Sequence, residues 1–154
     1  MNFQDIRYVG VNDHELDLFE GQYRIPNGMA YNSYIITDEK IAVVDAVDAR
    51  FTEVWFENIN NALNGKAPDY LIVQHMEPDH SGSIMRFMET YPGAKPVATA
   101  KAFTMIRNFF GVDLGERAVV VGDGDTLGLG RHELRFLTAA NVMNVFTTSM
   151  KYKN

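Results

Sequence analysis

Cysteine is absent from this chain of 154 residues, which excludes disulfides, thiolate metal sites, iron–sulfur clusters and a thiol nucleophile. Any bound metal must therefore be held by nitrogen and oxygen. Basic residues form no cluster, and 14 Lys and Arg stand against 20 Asp and Glu for a net charge of −6. A nucleic-acid partner is therefore not expected. Since no apolar run reaches the length of a membrane span and no leader pattern opens the chain, we expect a cytoplasmic protein without a membrane partner.

The hydrophobic residues, 46% of the chain, suffice for the core of one globular domain. Their periodicity, together with turn residues, predicts where strands and helices lie. We expect strands at 6–11, 16–23, 30–37, 41–47, 70–73, 96–100 and 117–121, a hairpin of 126–129 with 133–138, and helices at 51–63, 84–91 and 101–110. An antiparallel start followed by alternating strands and helices predicts an α/β (α+β) fold with a mixed β-sheet. For residues 141–154 we expect a short irregular or helical segment at the end of the chain.

The segment around Pro78 is the most informative, since it places two imidazoles and two carboxylates directly after an apolar run. Mixed nitrogen and oxygen ligands favour iron, manganese or zinc over calcium. Pro78 disfavours the α conformation at Glu77, and alternate side chains of an extended segment point the same way. We therefore expect His75, Glu77 and Asp79 to converge on one face, with His80 beginning the next turn. A purely structural alternative, helix capping beside a surface histidine, explains fewer of these residues together.

The same segment belongs to a longer pattern that resembles a known family. The likeness runs through residues 28–34, 45, 55–59, 69–73, 74–82, 122–127 and 134–139. Together these residues resemble the metallo-β-lactamase-like domain of the flavodiiron proteins, flavoproteins that reduce dioxygen or nitric oxide at a non-haem di-iron centre. Glu77 stands where the zinc hydrolases of the superfamily generally carry a histidine, so the segment resembles the iron branch.

The resemblance implies specific roles for the residues of the motif. His75 and Glu77 would bind one iron and Asp79 the other, while His80 lies beside the centre. We take all four as the candidate metal residues, with iron as the expected metal. Zinc, or no metal at all, is the alternative for this chain.

The likeness stops near residue 139. The family continues with a proline and a His-Trp-Pro segment whose histidine completes the first iron site, whereas residues 140–146 contain no histidine. The resemblance then implies one truncated metallo-β-lactamase-like domain over residues 1–154, without the flavodoxin domain. Flavin mononucleotide is expected only in full-length relatives. The di-iron site is expected to be incomplete, with impaired oxygen and nitric oxide reductase activity in isolation.

The truncation predicts how the chain would associate. The parent fold is a sandwich in which each sheet carries helices on one face and the other sheet on its second face. We expect half of this sandwich, with helices on one face and an exposed apolar face lined by 41–44 and 71–73. A homodimer burying sheet against sheet would cover it. A separately encoded second half or a flavodoxin-like electron donor is the other expected partner.

Two further functions are open at this stage. One is a non-enzymatic homodimeric remnant whose motif is empty or binds zinc. The other is a metal-dependent hydrolase with a site across the dimer interface, because metal-bound water is nucleophilic near neutral pH. A serine hydrolase is not expected, since the sequence has no Ser/His/Asp grouping with a nucleophile elbow.

The remaining candidate residues receive structural interpretations. His14 and His132 are expected to be solvated, and Trp55 to lie in the core. Residues 122–125 predict a plain turn rather than a phosphate or calcium loop. Asp45 ends an apolar run, and two roles stay open for it: a hydrogen-bond acceptor that orients a metal-binding histidine, or a strand-end cap.

Overall fold

The computed structural model describes residues 3–15, 18–19, 23–138 and 146–152. Short 3₁₀ helices occupy Phe3–Asp5 and Ala49–Phe51. The α-helices are α1 (Thr52–Leu63), α2 (Pro78–Ser81), α3 (Ile84–Thr90) and α4 (Ala100–Phe110). The strands are β1 (Ile6–Tyr8), β2 (Val11–Asp13), β3 (Leu18–Phe19), β4 (Tyr23–Arg24), β5 (Met29–Tyr31), β6 (Tyr34–Ile36), β7 (Ala42–Val44), β8 (Tyr70–Ile72), β9 (Lys95–Ala98), β10 (Val119–Val120), β11 (Thr126–Gly128), β12 (His132–Thr138) and β13 (Phe146–Tyr152).

The long helices form where the periodicity predicts them. In α1 the residues Trp55, Ile59 and Leu63 recur at helical spacing and are buried. The helix ends at Asn64, which adopts the left-handed conformation with φ 50°. Helix α4 begins where the Thr99 side chain accepts a hydrogen bond from a backbone N–H of its first turn, which caps the helix.

The main sheet has six strands in the order β1-β6-β7-β8-β9-β10. Strands β7 to β10 are parallel, while β1 and β6 pair antiparallel, so the sheet is mixed as predicted. The edge at which the parallel strands end is called the carboxyl edge, and the opposite one the amino edge. Asp45 follows β7 and the motif follows β8, so both lie at the carboxyl edge. In parallel sheets this edge commonly carries the functional residues.

Helices cover one face of the main sheet, as predicted. Trp55 of α1, Phe87 of α3 and Ile106 of α4 are at most 1% exposed there. The other face is covered by a three-stranded sheet of β11, β12 and β13. Its Leu134 and Phe136 form a second buried cluster with residues of the main sheet.

The prediction of an exposed apolar face is therefore wrong. Residues 41–44 and 71–73 are all at most 8% exposed. The physical reason is that the hairpin of β11 and β12 folds back over the main sheet, so the chain itself supplies a second layer. A homodimer through that face, and a hydrolase site built across it, lose their basis.

Local predictions fail where pairing between distant residues decides the structure. Strand β13 pairs antiparallel with β12 along its whole length, so an irregular or helical end is wrong for residues 146–152. Residues 141–145 and 153–154 lie outside the described residues. The predicted strand over 16–23 is instead a pair of short strands, β3 and β4, where the chain is described. None of the helices in the described ranges has the length and apolar character to cross a membrane.

Candidate metal centre

The motif begins where β8 leaves the sheet. Val73 N still donates to Val97 O at 2.9 Å. At the next residue, Gln74 N donates to Asp45 Oδ1 at 2.8 Å and the Gln74 side chain donates to Asp45 Oδ2 at 3.2 Å. Asp45 adopts φ 56°, a conformation that costs Asn and Asp less than other residues with a side chain. The ends of β7 and β8 are thus joined through one carboxylate.

The motif changes conformation at Pro78. Glu77 is extended, with φ −67° and ψ 149°, as the following proline predicts. Helix α2 starts at Pro78 itself, so Asp79 and His80 lie on a helical turn. The prediction that Asp79 continues the extended segment, with the turn beginning at His80, is therefore wrong. Proline favours the first helical position because its missing N–H is not needed there.

The four candidate residues form two histidine–carboxylate pairs. His75 Nε2 lies 3.2 Å from Glu77 Oε2, and His80 Nε2 lies 3.6 Å from Asp79 Oδ2. The two imidazole rings stack with centroids 5.3 Å apart, which brings the pairs together. Met76 N donates to His75 Nδ1 at 3.1 Å, so the Nε2 atom is the one that faces the carboxylate.

Burial and charge act on both Asp45 and His80. Burial raises the pKa of Asp45 to about 7, with the nearby Asp79 carboxylate adding to the rise and hydrogen bonds from Gln74 opposing it. Burial lowers the pKa of His80, against the opposing effect of Asp79. His80 Nδ1 lies 3.9 Å from Asp45 Oδ2, beyond hydrogen-bond length. Of the two roles open for Asp45, the contacts with Gln74 favour the strand-end role.

The backbone of the motif is hydrogen-bonded to, and closely packed against, the residues that follow β7. Ala46 N donates to His80 O at 3.2 Å, and Ser83 N donates to Val47 O at 3.1 Å. A Cβ atom at Gly82 would lie 2.6 Å from the backbone nitrogen of Ala49. Real Cβ atoms do not approach that closely, so glycine is required for this contact.

One buried histidine was predicted incorrectly. His132 is 2% exposed rather than solvated, and its Nδ1 lies 2.7 Å from Asp38 Oδ2. It shares the inward side of β12 with Leu134 and Phe136, an alternation that the sequence does show. His14 is exposed as predicted.

The predictions for residues 122–125 and for Trp55 are confirmed. Residues 122–125 form a turn in which Gly122 N donates to Asp125 Oδ2 at 2.7 Å. Trp55 lies in the core, where its Nε1 donates to Ser33 Oγ at 3.0 Å.

Comparison with known sequences identifies the family. The family model described as ODP family beta lactamase matches residues 29–147. The chain belongs to this family. Diflavin flavoprotein A 1 of Synechocystis is 35% identical over 131 residues, which cover 84% of the chain and 22% of that protein. The anaerobic nitric oxide reductase flavorubredoxin of Vibrio vulnificus is 31% identical over 137 residues, covering 88% of the chain and 28% of that protein.

Solved structures agree with the sequence relatives. Rubredoxin oxygen:oxidoreductase of Desulfovibrio gigas superposes with a TM-score of 0.87 and 25% identity, over 96% of the chain and 37% of that protein. The flavodiiron protein of Giardia intestinalis gives 0.83 and 27%, over 95% of the chain and 36% of that protein. The chain therefore has the beta-lactamase-like fold of flavodiiron proteins. It spans only 22% to 37% of the length of these relatives.

For this member of the ODP family, the motif fits a metal in part. Its nitrogen and oxygen donors suit a first-row transition metal. The His80 Nδ1 atom is buried without a hydrogen-bond partner, a cost that a bound ligand would remove. Within the described ranges, however, no group of three or more His, Cys, Asp or Glu side chains is placed to hold one ion. The arrangement therefore provides donor pairs rather than a complete coordination shell.

Proposed function

We propose that this chain is a metal-binding part of a flavodiiron-type domain, with iron as its metal. His75 and Glu77 would form one pair of ligands, and Asp79 with His80 the other. The observation that supports this most directly is the stacking of the two imidazole rings at 5.3 Å, each beside its own carboxylate. The partnerless His80 Nδ1 adds a second reason.

The four side chains would take different parts in binding. Asp79 is 9% exposed on α2 and keeps its place, whereas Glu77 is 50% exposed and is free to turn toward a ligand. Metal ligands of these types bind in their unprotonated form, so metal binding is expected to weaken in acid. Bound iron would supply redox chemistry toward dioxygen or nitric oxide, the substrates for which rubredoxin oxygen:oxidoreductase and the nitric oxide reductase flavorubredoxin are named.

The activity of this chain alone would be impaired, because its donor pairs do not complete a coordination shell. Further ligands would come from outside the described residues, for example from a separately encoded second half, and electrons from a flavodoxin-like donor that carries flavin mononucleotide. We place this chemistry in the cytoplasm.

The same incompleteness favours a second candidate. A chain that offers no group of three ligands in its described part would be a remnant without enzymatic activity, either metal-free or loaded with zinc. The covered sheet face makes such a remnant stable without a partner on that side.

Metal analysis of chain purified without chelator separates the two candidates. Iron bound to the wild-type chain supports the first, whereas an empty chain or zinc supports the second. In the variant His75→Ala with Glu77→Ala we expect metal uptake to be abolished and the circular dichroism spectrum to be retained. The matched control is His14→Ala with Glu15→Ala, which removes an exposed histidine and glutamate elsewhere and should leave the metal content unchanged. Full metal content in the first double variant would refute the ligand assignment.

A further inference from the structure

The motif rests on a neighbouring stretch of backbone, residues 45–50, which is called the platform segment. Besides the contacts of Gln74 with Asp45, two backbone hydrogen bonds join the segment to α2 and the residues after it: Ala46 N donates to His80 O at 3.2 Å, and Ser83 N donates to Val47 O at 3.1 Å. Ala46 and Val47 are fully buried. The position of α2, and with it the His80 side chain, therefore depends on where the platform segment lies.

The far end of the platform segment is fixed by a polar cluster. Arg50 Nη2 donates to Asp13 Oδ2 at 3.1 Å and to the Tyr31 hydroxyl at 3.0 Å. The Tyr31 hydroxyl in turn donates to Asp13 Oδ2 at 3.0 Å. Asp13 ends β2 and Tyr31 ends β5, and both are 1% exposed. This closed triangle, called the anchor, ties the platform segment to the β2–β5 pair.

The guanidinium and the hydroxyl of the anchor keep their protons over a wide pH range. Its hydrogen bond with Asp48 raises the pKa of Arg50, so the guanidinium stays charged. Burial, aided by the hydrogen bond to Asp13, raises the pKa of Tyr31 to about 12, so the hydroxyl stays protonated. Arg50 Nε also donates to Asp48 Oδ1 at 3.0 Å, and the guanidinium lies over the Phe51 ring at 5.4 Å from its centroid. The guanidinium is thereby held from more than one side.

We propose that Asp13, Tyr31 and Arg50 are positioning residues for the metal motif. They act through the platform segment: the anchor fixes Arg50, the segment fixes the backbone of α2, and α2 presents Asp79 and His80. The part of this inference that concerns metal rests on the proposed function.

Titration of the full chain with Co²⁺, followed by the visible absorption of the bound ion, tests the effect on metal binding. For Arg50→Gln we expect about tenfold weaker Co²⁺ binding and a changed absorption spectrum, as when a group that orients a ligand is lost. The matched control is Arg131→Gln, because Arg131 is 54% exposed against 53% for Arg50 and lies at the amino edge. Its Co²⁺ affinity should stay within about twofold of wild type. Wild-type affinity and spectrum in Arg50→Gln would overturn the proposal.

Amide hydrogen exchange gives a readout that needs no metal. In Arg50→Gln the amides of Ala46 and Ser83 should exchange faster, since they make the bonds between platform segment and motif, while Arg131→Gln should leave them unchanged. Unchanged exchange in Arg50→Gln would overturn the anchoring whatever the Co²⁺ result. A wild-type chain that binds no Co²⁺ would instead overturn the proposed function, and the exchange rates would then decide the anchoring by themselves.

A milder substitution covers the case in which Arg50→Gln does not fold. Tyr31→Phe keeps the ring and removes only the hydroxyl, which leaves the contact between Arg50 and Asp13 in place. Exchange at Ala46 should rise in the same direction by a smaller factor. A folded Tyr31→Phe chain with wild-type exchange and wild-type Co²⁺ binding would count against the anchor.

Discussion

The two edges of the main sheet both carry a histidine beside an aspartate, but the contacts differ. At the amino edge His132 Nδ1 lies 2.7 Å from Asp38 Oδ2, and both side chains are at most 3% exposed. At the carboxyl edge His80 Nε2 lies 3.6 Å from Asp79 Oδ2, the His80 side chain is 20% exposed, and its Nδ1 has no partner. The first pair is complete within the protein, whereas the second has donor capacity left for a ligand.

The two edges also differ in whether side-chain or backbone contacts hold them together. The amino-edge pair joins two sheets through side chains, since His132 lies on β12 and Asp38 between β6 and β7. At the carboxyl edge the backbone around Gly82 is tightly packed, while the His80 side chain lies 3.6 Å and 3.9 Å from the nearest carboxylate oxygens of Asp79 and Asp45. A fixed backbone with side chains that still have unused donors is what a binding site requires.

The largest difference between the edges should appear on removing each histidine. His132→Ala should lower the free energy of unfolding by about 3 kcal/mol, because it leaves a cavity at a buried position and removes the imidazole that pairs with the buried Asp38 carboxylate. His80→Ala should cost less than about 1 kcal/mol, since its ring is partly exposed and one nitrogen is already unpaired. Urea denaturation of both variants measures this. Equal losses of unfolding free energy in His132→Ala and His80→Ala would contradict the difference between the two edges.

The packing of the carboxyl-edge backbone is tested by Gly82→Ala. The added methyl group would meet the backbone of Ala49 and Pro78, so we expect a loss of about 2 kcal/mol in the free energy of unfolding. Gly93→Ala is the control, because nothing lies within 4 Å of a Cβ atom there. Its effect should stay within about 0.5 kcal/mol in the same urea titration. A loss as large in Gly93→Ala would show that the close contact is not the cause.

Asp45→Asn tests whether the ionised Asp45 carboxylate at the carboxyl edge lowers the free energy of unfolding. Burial raises the pKa of Asp45 to about 7, so at about pH 8 the ionised side chain opposes folding. Asparagine removes that charge and tolerates the positive φ. We expect the metal-free chain to gain about 1 kcal/mol. A loss of stability in urea denaturation at about pH 8 would contradict this account.

The smallest expected effect is an acid dependence located at the amino edge. Burial favours a high pKa for Asp38, but hydrogen bonds from His132 and Glu39 outweigh it and lower the pKa below the ordinary value of 3.8. A lowered pKa stabilises the fold above pH 3.8, and this contribution is lost as the pH falls through the pKa of the folded state. The free energy of unfolding, measured in urea below pH 4, should fall more steeply in wild type than in Asp38→Asn. Parallel curves would remove Asp38 as the cause.

The sequence predicts those features that neighbouring residues decide. Helix α1 follows from the spacing of Trp55 and Leu63 and from the ending at Asn64. The motif is visible because its ligand types stand close together in the chain. The pattern predicts that the turn begins at His80, whereas it begins two residues earlier, because Pro78 both extends Glu77 and starts α2.

The features that the sequence does not predict arise from contacts between distant residues. Strand β13 depends on its pairing with β12, and the sequence of residues 146–152 alone does not indicate that pairing. The burial of His132 depends on the docking of the second sheet over the first. The same docking explains why the expected exposed face is absent from the described part of the chain.

The second sheet also has a consequence for biosynthesis. Because β11 and β12 close over the main sheet, the apolar interior can be shut off from water once residue 138 has emerged from the ribosome. Little apolar surface would then remain exposed on this face of the nascent chain. Chaperone binding to this face, and aggregation by stacking of open sheets, would therefore be reduced.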